Sequence, residues 1–206
     1  MTQKKSEKQA APPGVRAYQW WRDNCQQDVS DDESSRRPYD PAIRARLRRC
    51  RSNTDAAMIP AAIALAVRLQ ALREDVRESD PELGAALGLA RVLSFVTEND
   101  PKGPMRAAGW QQFPGENPKS QPPENQPRLA EARFKRLLGV KPGEEQVAAF
   151  TRLVRLLGGS VNVAELSRDF LQWGRDETRR RWAFDYYAAS FAAPSTDNTS
   201  SSEDNA

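Results

Sequence analysis

Five arginines stand within the eleven residues PAIRARLRRCR, from Pro41 to Arg51, and this stretch contains no acidic residue and no lysine. An arginine guanidinium is permanently charged, and it holds a phosphate or carboxylate through two parallel N–H donors. The chemistry that the stretch offers is therefore the binding of anions, and phosphates above all. The five residues are Arg44, Arg46, Arg48, Arg49 and Arg51.

The spacing of the apolar residues places this stretch on a helix. At about 100 degrees per residue, one apolar stripe is formed by Ile43, Leu47 and Cys50. The arginines flank the stripe, with Arg44, Arg48 and Arg51 on one side and Arg46 and Arg49 on the other. No glutamate stands four residues away to relieve their mutual repulsion. A phosphate-binding surface is favoured, and the solvated face of an ordinary helix stays open as the alternative.

Two more basic segments follow in the second half of the chain. In RLAEARFKRLL the cations project away from the side that carries Leu129, Phe134 and Leu137, and they are Arg128, Arg133, Lys135 and Arg136. This segment is as compatible with a solvated face as with a binding surface. In TRLVRLL, Arg152 and Arg155 are a weaker signal, since two arginines between core positions are common.

The residue types argue against catalysis and metal binding. None of the 206 residues is histidine, which removes Ser-His-Asp and Cys-His sites and imidazole ligands. Cys25 and Cys50 lack the spacing of a zinc site or a disulfide framework. We find no P-loop, no GxSxG and no marked carboxylate pair. The sequence therefore predicts a protein that is not an enzyme, has no cofactor, and resides in a reducing cytoplasm.

The elements that must carry these cations are predicted to be helices. Asp40–Pro41 and Asp80–Pro81 repeat a signal for the start of a helix, and Asn162 with Glu165 resembles a capping box. A further helix is expected from about Pro60 to near Ser79. No apolar run is long enough to cross a bilayer, so no membrane association is expected.

We predict an all-α protein made of two small helical bundles joined by a Pro-rich linker, with disordered termini. The expected boundaries are 1–13 for an arm, 14–98 for the first bundle, 99–127 for the linker, 128–193 for the second bundle and 194–206 for a tail. The linker holds seven of the fifteen prolines, and its Trp110 is expected to be exposed. Helical spacing assigns the other aromatic residues to the core: Trp20, Trp21, Trp173, Trp182, Tyr186 and Tyr187.

The order of these segments is similar to that of a known family. YQWW, ARLRRC, RLAEARFKRLL, FTRLVRLLGG and VNVAELSRDFLQWG follow one another as in the CasB family, the small subunit of the type I-E CRISPR surveillance complex, Cascade. The resemblance covers about 18–187 and is strongest in the C-terminal half. The linker is longer and richer in proline than is usual for the family.

This resemblance implies a non-catalytic subunit, present in two copies, with the guide RNA, the large subunit and the backbone subunit as partners. Its basic surface would hold the displaced non-target strand of the target DNA and so stabilise the R-loop. The family's arginines carry over most directly to Arg48 and Arg49, with Arg44, Arg46 and Arg51 as neighbours. The second basic helix carries over to Arg128, Arg133, Lys135 and Arg136.

Two other classes of function stay open. In the first, the protein is a helical scaffold whose arginines pair with acidic surfaces of partner proteins. In the second, it is a helix-turn-helix regulator that reads duplex DNA with the segment GGSVNVAELSRDFLQWG. The second is disfavoured because that segment needs its apolar residues for packing and, even with the residue that follows it, carries only Arg168 and Arg175 as cations.

Overall fold

The computed structural model describes residues 11–26, 40–71, 80–111, 119 and 125–188. Within these ranges the chain forms ten α-helices and one pair of two-residue strands, which confirms the all-α prediction. The first five helices are α1 (Pro13–Asn24), α2 (Pro41–Arg49), α3 (Asn53–Ala57), α4 (Pro60–Arg68) and α5 (Pro81–Leu93). The others are α6 (Pro104–Ala108), α7 (Glu131–Leu138), α8 (Glu144–Leu156), α9 (Val163–Leu171) and α10 (Asp176–Tyr187). Strands β1 (Glu98–Asn99) and β2 (Ser160–Val161) pair in parallel, with Glu98 opposite Ser160.

The predicted helix starts are confirmed by their hydrogen bonds. The Asp40 carboxylate accepts from the backbone N–H of the second residue of α2, and the Asp80 carboxylate does the same for α5. The Asn162 side chain accepts from the backbone N–H of Glu165 at 2.9 Å. In each case a side-chain oxygen satisfies an N–H group that the helix cannot satisfy itself.

Two helices differ from the prediction. The helix that begins at Pro60 ends at Arg68 rather than near Ser79, because Gln70 adopts a positive φ of 60° that a right-handed helix cannot continue through. Residues 72–79 lie outside the described ranges. Helix α3 was not predicted, since five residues are too few to show a helical period. It is held by a capping box between Ser52 and Asp55.

The aromatic residues form the core as predicted, because helical spacing placed them on the inner faces. Trp20, Trp21, Trp173, Trp182 and Tyr186 are each at most 1% exposed, and Tyr187 is half-buried against them. The indole N–H of Trp182 donates to the carboxylate of Asp169 at 2.6 Å, and that acid also pairs with two arginines. Burying tryptophan with its N–H satisfied is the arrangement that stabilises such cores.

One hydrophobic cluster contains residues from both sides of the Pro-rich segment. Helix α1 packs so closely on α9 that a side chain at Gly14 would overlap the carbonyl oxygen of Ala164. The division into two bundles joined by a linker at 99–127 stays a prediction. The predicted arm and tail, 1–13 and 194–206, lie outside the described residues except for 11–13.

Residues 104–110 of the predicted linker are packed against the rest of the chain. Trp110 is only 5% exposed, so the expectation of an exposed side chain there is wrong. The physical reason is that its backbone N–H donates to the carbonyl of Tyr186 at 2.8 Å, while α6 docks on α10 through an ion pair of Arg106 with Asp185 at 3.1 Å. Proline content alone did not reveal these long-range contacts.

Candidate nucleic-acid interface

The arginines of α2 do not all point to solvent. Arg44 donates from Nε to the carbonyl of Ser94 at 2.8 Å and from Nη2 to the carbonyl of Val96 at 3.0 Å. Arg48 donates from Nε to the same Ser94 carbonyl at 2.9 Å. These carbonyls follow the C-terminus of α5, where backbone acceptors lack helical partners and carry partial negative charge. Part of the α2 charge is therefore used to cap α5.

The buried thiol of Cys25 lies close to this cap. Burial raises the pKa of Cys25 to about 12, although the positive charges of Arg44 and Arg48 act in the opposite direction. The thiol is thus neutral in the folded protein at physiological pH. Its role is packing.

A first groove, which we call the α7–α8 groove, has a volume of about 670 Å³. Four arginines and six apolar residues line it: Arg133, Arg136, Arg152, Arg155, Leu129, Leu137, Val140, Ala149, Leu153 and Leu156. Most of the apolar lining residues are buried or half-buried, whereas the four arginines are exposed. The groove combines an apolar floor with cations.

A second groove, which we call the α2–α8 groove, has a volume of about 460 Å³. It is lined by Leu47, Arg48, Cys50, Arg51, Arg91, Phe95, Glu144, Val147, Ala148, Thr151, Arg152 and Arg155. Arg152 and Arg155 line both grooves, so the two adjoin along α8. Arginines from all three basic segments of the sequence meet on this surface.

The acid that lines the α2–α8 groove is already paired. Arg91 Nη1 lies 2.7 Å and 2.9 Å from the two carboxylate oxygens of Glu144, and 3.2 Å from the side-chain oxygen of Asn53. The Arg91 side chain is 9% exposed and that of Glu144 is 54% exposed, so this contact joins α5, α3 and the start of α8 at the surface of the fold. Because Glu144 is paired with Arg91, it does not neutralise the other arginines of the groove, which can bind an external anion.

Most of the groove arginines have free donors. Within the described residues, side-chain hydrogen bonds and ion pairs are absent for the following exposed arginines: Arg51, Arg133, Arg136, Arg152 and Arg155. Arg51 is anchored through its backbone, whose N–H donates to the Asp55 carboxylate at 2.8 Å. These five guanidiniums can each accept a phosphate without breaking an existing contact.

The remaining predicted cations lie outside the linings of both grooves. Arg46, Arg49 and Arg128 are exposed. Lys135 forms an ion pair with Glu131 at 2.7 Å, which raises the pKa of Lys135 and lowers that of Glu131. Six of the eleven predicted residues are therefore brought together, and the other five are not.

Sequence reasoning missed three contributors to the α2–α8 groove. The ring of Phe95 lies under two arginines. Its centre is 4.5 Å from the guanidinium carbon of Arg155 and 5.3 Å from that of Arg48. Helical spacing gave no signal for Phe95, because it lies beyond the end of α5. Arg91 interrupts an otherwise apolar helix, and a charge in such a place indicates a buried cation that needs an acidic partner, here Glu144.

Two further features are absent from the described residues, a metal site and a membrane-spanning helix. In that part of the chain no group of three or more histidine, cysteine, aspartate or glutamate side chains is placed to hold a metal ion. None of the described helices is both long enough and apolar enough to span a membrane.

The fold and the grooves define an all-helical protein with a shared, arginine-lined surface. Residues 43–187 match the family model for CRISPR-associated protein Cse2, and the chain belongs to that family. This confirms the resemblance to the small subunit of type I-E Cascade and makes the protein a subunit of that CRISPR complex. The chain matched no curated protein and no solved structure.

Proposed function

We propose that this chain is a non-catalytic, cytoplasmic subunit that binds nucleic-acid backbones without sequence preference. It would hold the displaced non-target DNA strand and so stabilise the R-loop. Its partners would be the guide RNA, the large and backbone subunits of Cascade, and a second copy of itself.

The observation that carries this proposal is the convergence of three basic segments on two adjoining grooves. Arginines from α2, α7 and α8, and from the turn after α2, line them, and the groove acid Glu144 is held by Arg91. A strand of nucleic acid presents phosphates in a row, so a row of cations along a groove is the feature that such a ligand requires.

The linings also favour a single strand over a duplex. The α7–α8 groove has leucines between its arginines, and unpaired bases have apolar faces that can lie against them. No asparagine or glutamine is among the residues that line the two grooves, and those are the side chains that most often read adenine. Binding that follows the backbone and ignores the sequence suits a subunit of a complex in which base pairing selects the target.

The two grooves divide the candidate residues into stronger and weaker candidates for binding phosphate. We propose that phosphates are held chiefly by the six that line them: Arg48, Arg51, Arg133, Arg136, Arg152 and Arg155. Arg46, Arg49, Arg128 and Lys135 stay predicted contacts on the basis of the resemblance alone. Arg44 is assigned a mainly structural role, because its guanidinium already donates to carbonyls of the fold.

The test compares two double variants of equal charge. Arg133→Gln with Arg152→Gln removes one cation from each wall of the α7–α8 groove. Lys102→Gln with Arg175→Gln removes two exposed cations that lie outside both grooves. Affinity for single-stranded DNA is measured with the full chain over a range of salt, and R-loop lifetime is measured with the assembled complex.

For six phosphate contacts the slope of log affinity against log salt is about −4 for a single strand. The groove variant should flatten that slope by about 1.4 and shorten the R-loop lifetime, whereas the control should leave both near wild type. Equal effects of the two variants would mean that general charge, and not these grooves, attracts the strand.

A second candidate, binding of an acidic partner protein, is favoured by the leucine floor of the α7–α8 groove. An amphipathic acidic helix could place apolar side chains on the exposed Leu156 and carboxylates on the arginines. Under this alternative, affinity for single-stranded DNA stays weak even at low salt. The helix-turn-helix alternative has less support, because α9 buries one face against α1 and its Arg168 is paired with Asp169.

A further inference from the structure

We propose that Phe95 is a positioning residue that holds Arg155 in place for a phosphate in the α2–α8 groove. The inference rests on the proposed function and adds a residue that carries no charge. Neither the basic pattern of the sequence nor the set of cations identifies it.

The ring of Phe95 is shared by arginines from two helices that are distant in sequence. The guanidinium carbon of Arg155, on α8, lies 4.5 Å from the ring centre, and that of Arg48, on α2, lies 5.3 Å away. Both distances are within the range of a cation–π interaction. All three side chains line the same groove.

The backbone around Phe95 is fixed from two directions. On one side, the carbonyl of Ser94 accepts from Arg48 and the carbonyl of Val96 accepts from the Trp21 indole at 3.3 Å. On the other, the N–H of Thr97 donates to the carbonyl of Gly159 at 2.9 Å. Gly159 has a φ of 84°, and a side chain there would overlap the Thr97 hydroxyl. The ring is therefore presented by a rigid turn.

The two arginines depend on the ring to different degrees. Arg48 has a second anchor, its hydrogen bond to Ser94, so its position does not rest on the ring alone. Arg155 has no side-chain hydrogen bond or ion pair within the described residues, and its guanidinium lies over the Phe95 ring. A guanidinium that lies over an aromatic ring keeps its N–H donors available for phosphate while its freedom to rotate is reduced. Loss of the ring should therefore act mainly through Arg155.

The experiment is a double-mutant cycle read out as affinity for single-stranded DNA. Phe95→Leu removes the ring but keeps an apolar side chain, and Phe95→Tyr keeps the ring as the matched control. Each is measured in the wild-type background and in Arg155→Gln. We expect Phe95→Leu to weaken binding about threefold, Phe95→Tyr to stay at wild type, and the Leu effect to disappear in Arg155→Gln.

Binding by Phe95→Leu at the wild-type level would overturn the inference, and so would an equal loss in both backgrounds, since the ring would then act without Arg155. If Phe95→Leu does not fold, Phe95→Met carries the same comparison. Failure of the proposed function is recognised separately: in that case Arg133→Gln with Arg152→Gln binds like its charge-matched control. If the Arg133→Gln, Arg152→Gln variant loses affinity but Phe95→Leu does not, the inference about Phe95 is rejected and the proposed function stands.

Discussion

The arginines of α2 and those of α7 and α8 are alike in sequence but differ in what they contact. Arg44 and Arg48 of α2 donate to carbonyls beyond the end of α5 and hold that turn in place. Arg133 and Arg152, on α7 and α8, are exposed and have no side-chain partner among the described residues. A dense run of arginines is therefore not uniformly a binding surface, because the fold uses some of its donors.

The difference has a simple physical cause. Helix α2 lies beside the C-terminus of α5, where carbonyl groups need donors, and arginine is the side chain that can supply several at once. The arginines of α7 and α8 instead line a groove whose other lining side chains are apolar and contain no hydrogen-bond acceptor. The same residue type thus stabilises the fold in one region and remains free for a ligand in the other.

The largest expected effect is a loss of stability on substitution of Arg44, which tests whether this arginine of α2 is structural. Arg44→Met removes two hydrogen bonds from a charged donor, to the carbonyls of Ser94 and Val96. We expect the free energy of unfolding to fall by about 3 kcal/mol, since each such bond contributes about 1.5 kcal/mol. Urea unfolding followed by circular dichroism measures this change. The matched control is Arg46→Met on the same helix, expected to change stability by about 0.5 kcal/mol or less. Equal stability of the two variants would show that Arg44 is not structural.

A smaller effect is expected from substitutions that test whether the groove lining or the family resemblance identifies the phosphate-binding arginine. The resemblance favours Arg49, whereas Arg51 lines the α2–α8 groove. We expect Arg51→Gln to flatten the salt slope of single-strand binding by about 0.7, which corresponds to one phosphate contact, and Arg49→Gln to change it less. Salt titrations of the two single variants measure this. A larger effect of Arg49→Gln would move the binding surface to the opposite side of α2.

The smallest effect concerns how Arg51 is held. The backbone N–H groups of Arg51 and Ser52 donate to the Asp55 carboxylate, and they lower its pKa below the usual value of 3.8. Stability from this group is therefore present above pH 3.8 and is lost as the pH falls through the lower pKa of the folded state. Asp55→Asn should lower the urea midpoint at pH 5, and the difference from wild type should shrink toward pH 2. A difference that stays constant over this range would contradict the assignment.

Much of the helical fold was predictable because its signals are local. Aspartate followed by proline marks a helix start through hydrogen bonds that span only two or three residues, as at Asp40 and Asp80. The end of α4 and the burial of Trp110 were not predictable. Both depend on backbone geometry and on contacts with residues distant in sequence, such as Tyr186.

The sequence by itself determined that the protein is helical, that its tryptophans other than Trp110 lie in the core, and that three segments carry an excess of arginine. Only the tertiary structure decided which arginines are available. It turned Arg44 inward, brought Arg152 and Arg155 between two grooves, and placed Phe95 beneath Arg155. The physical reason is that helical periodicity fixes which side of a helix a residue occupies, whereas the neighbour on that side is set by packing.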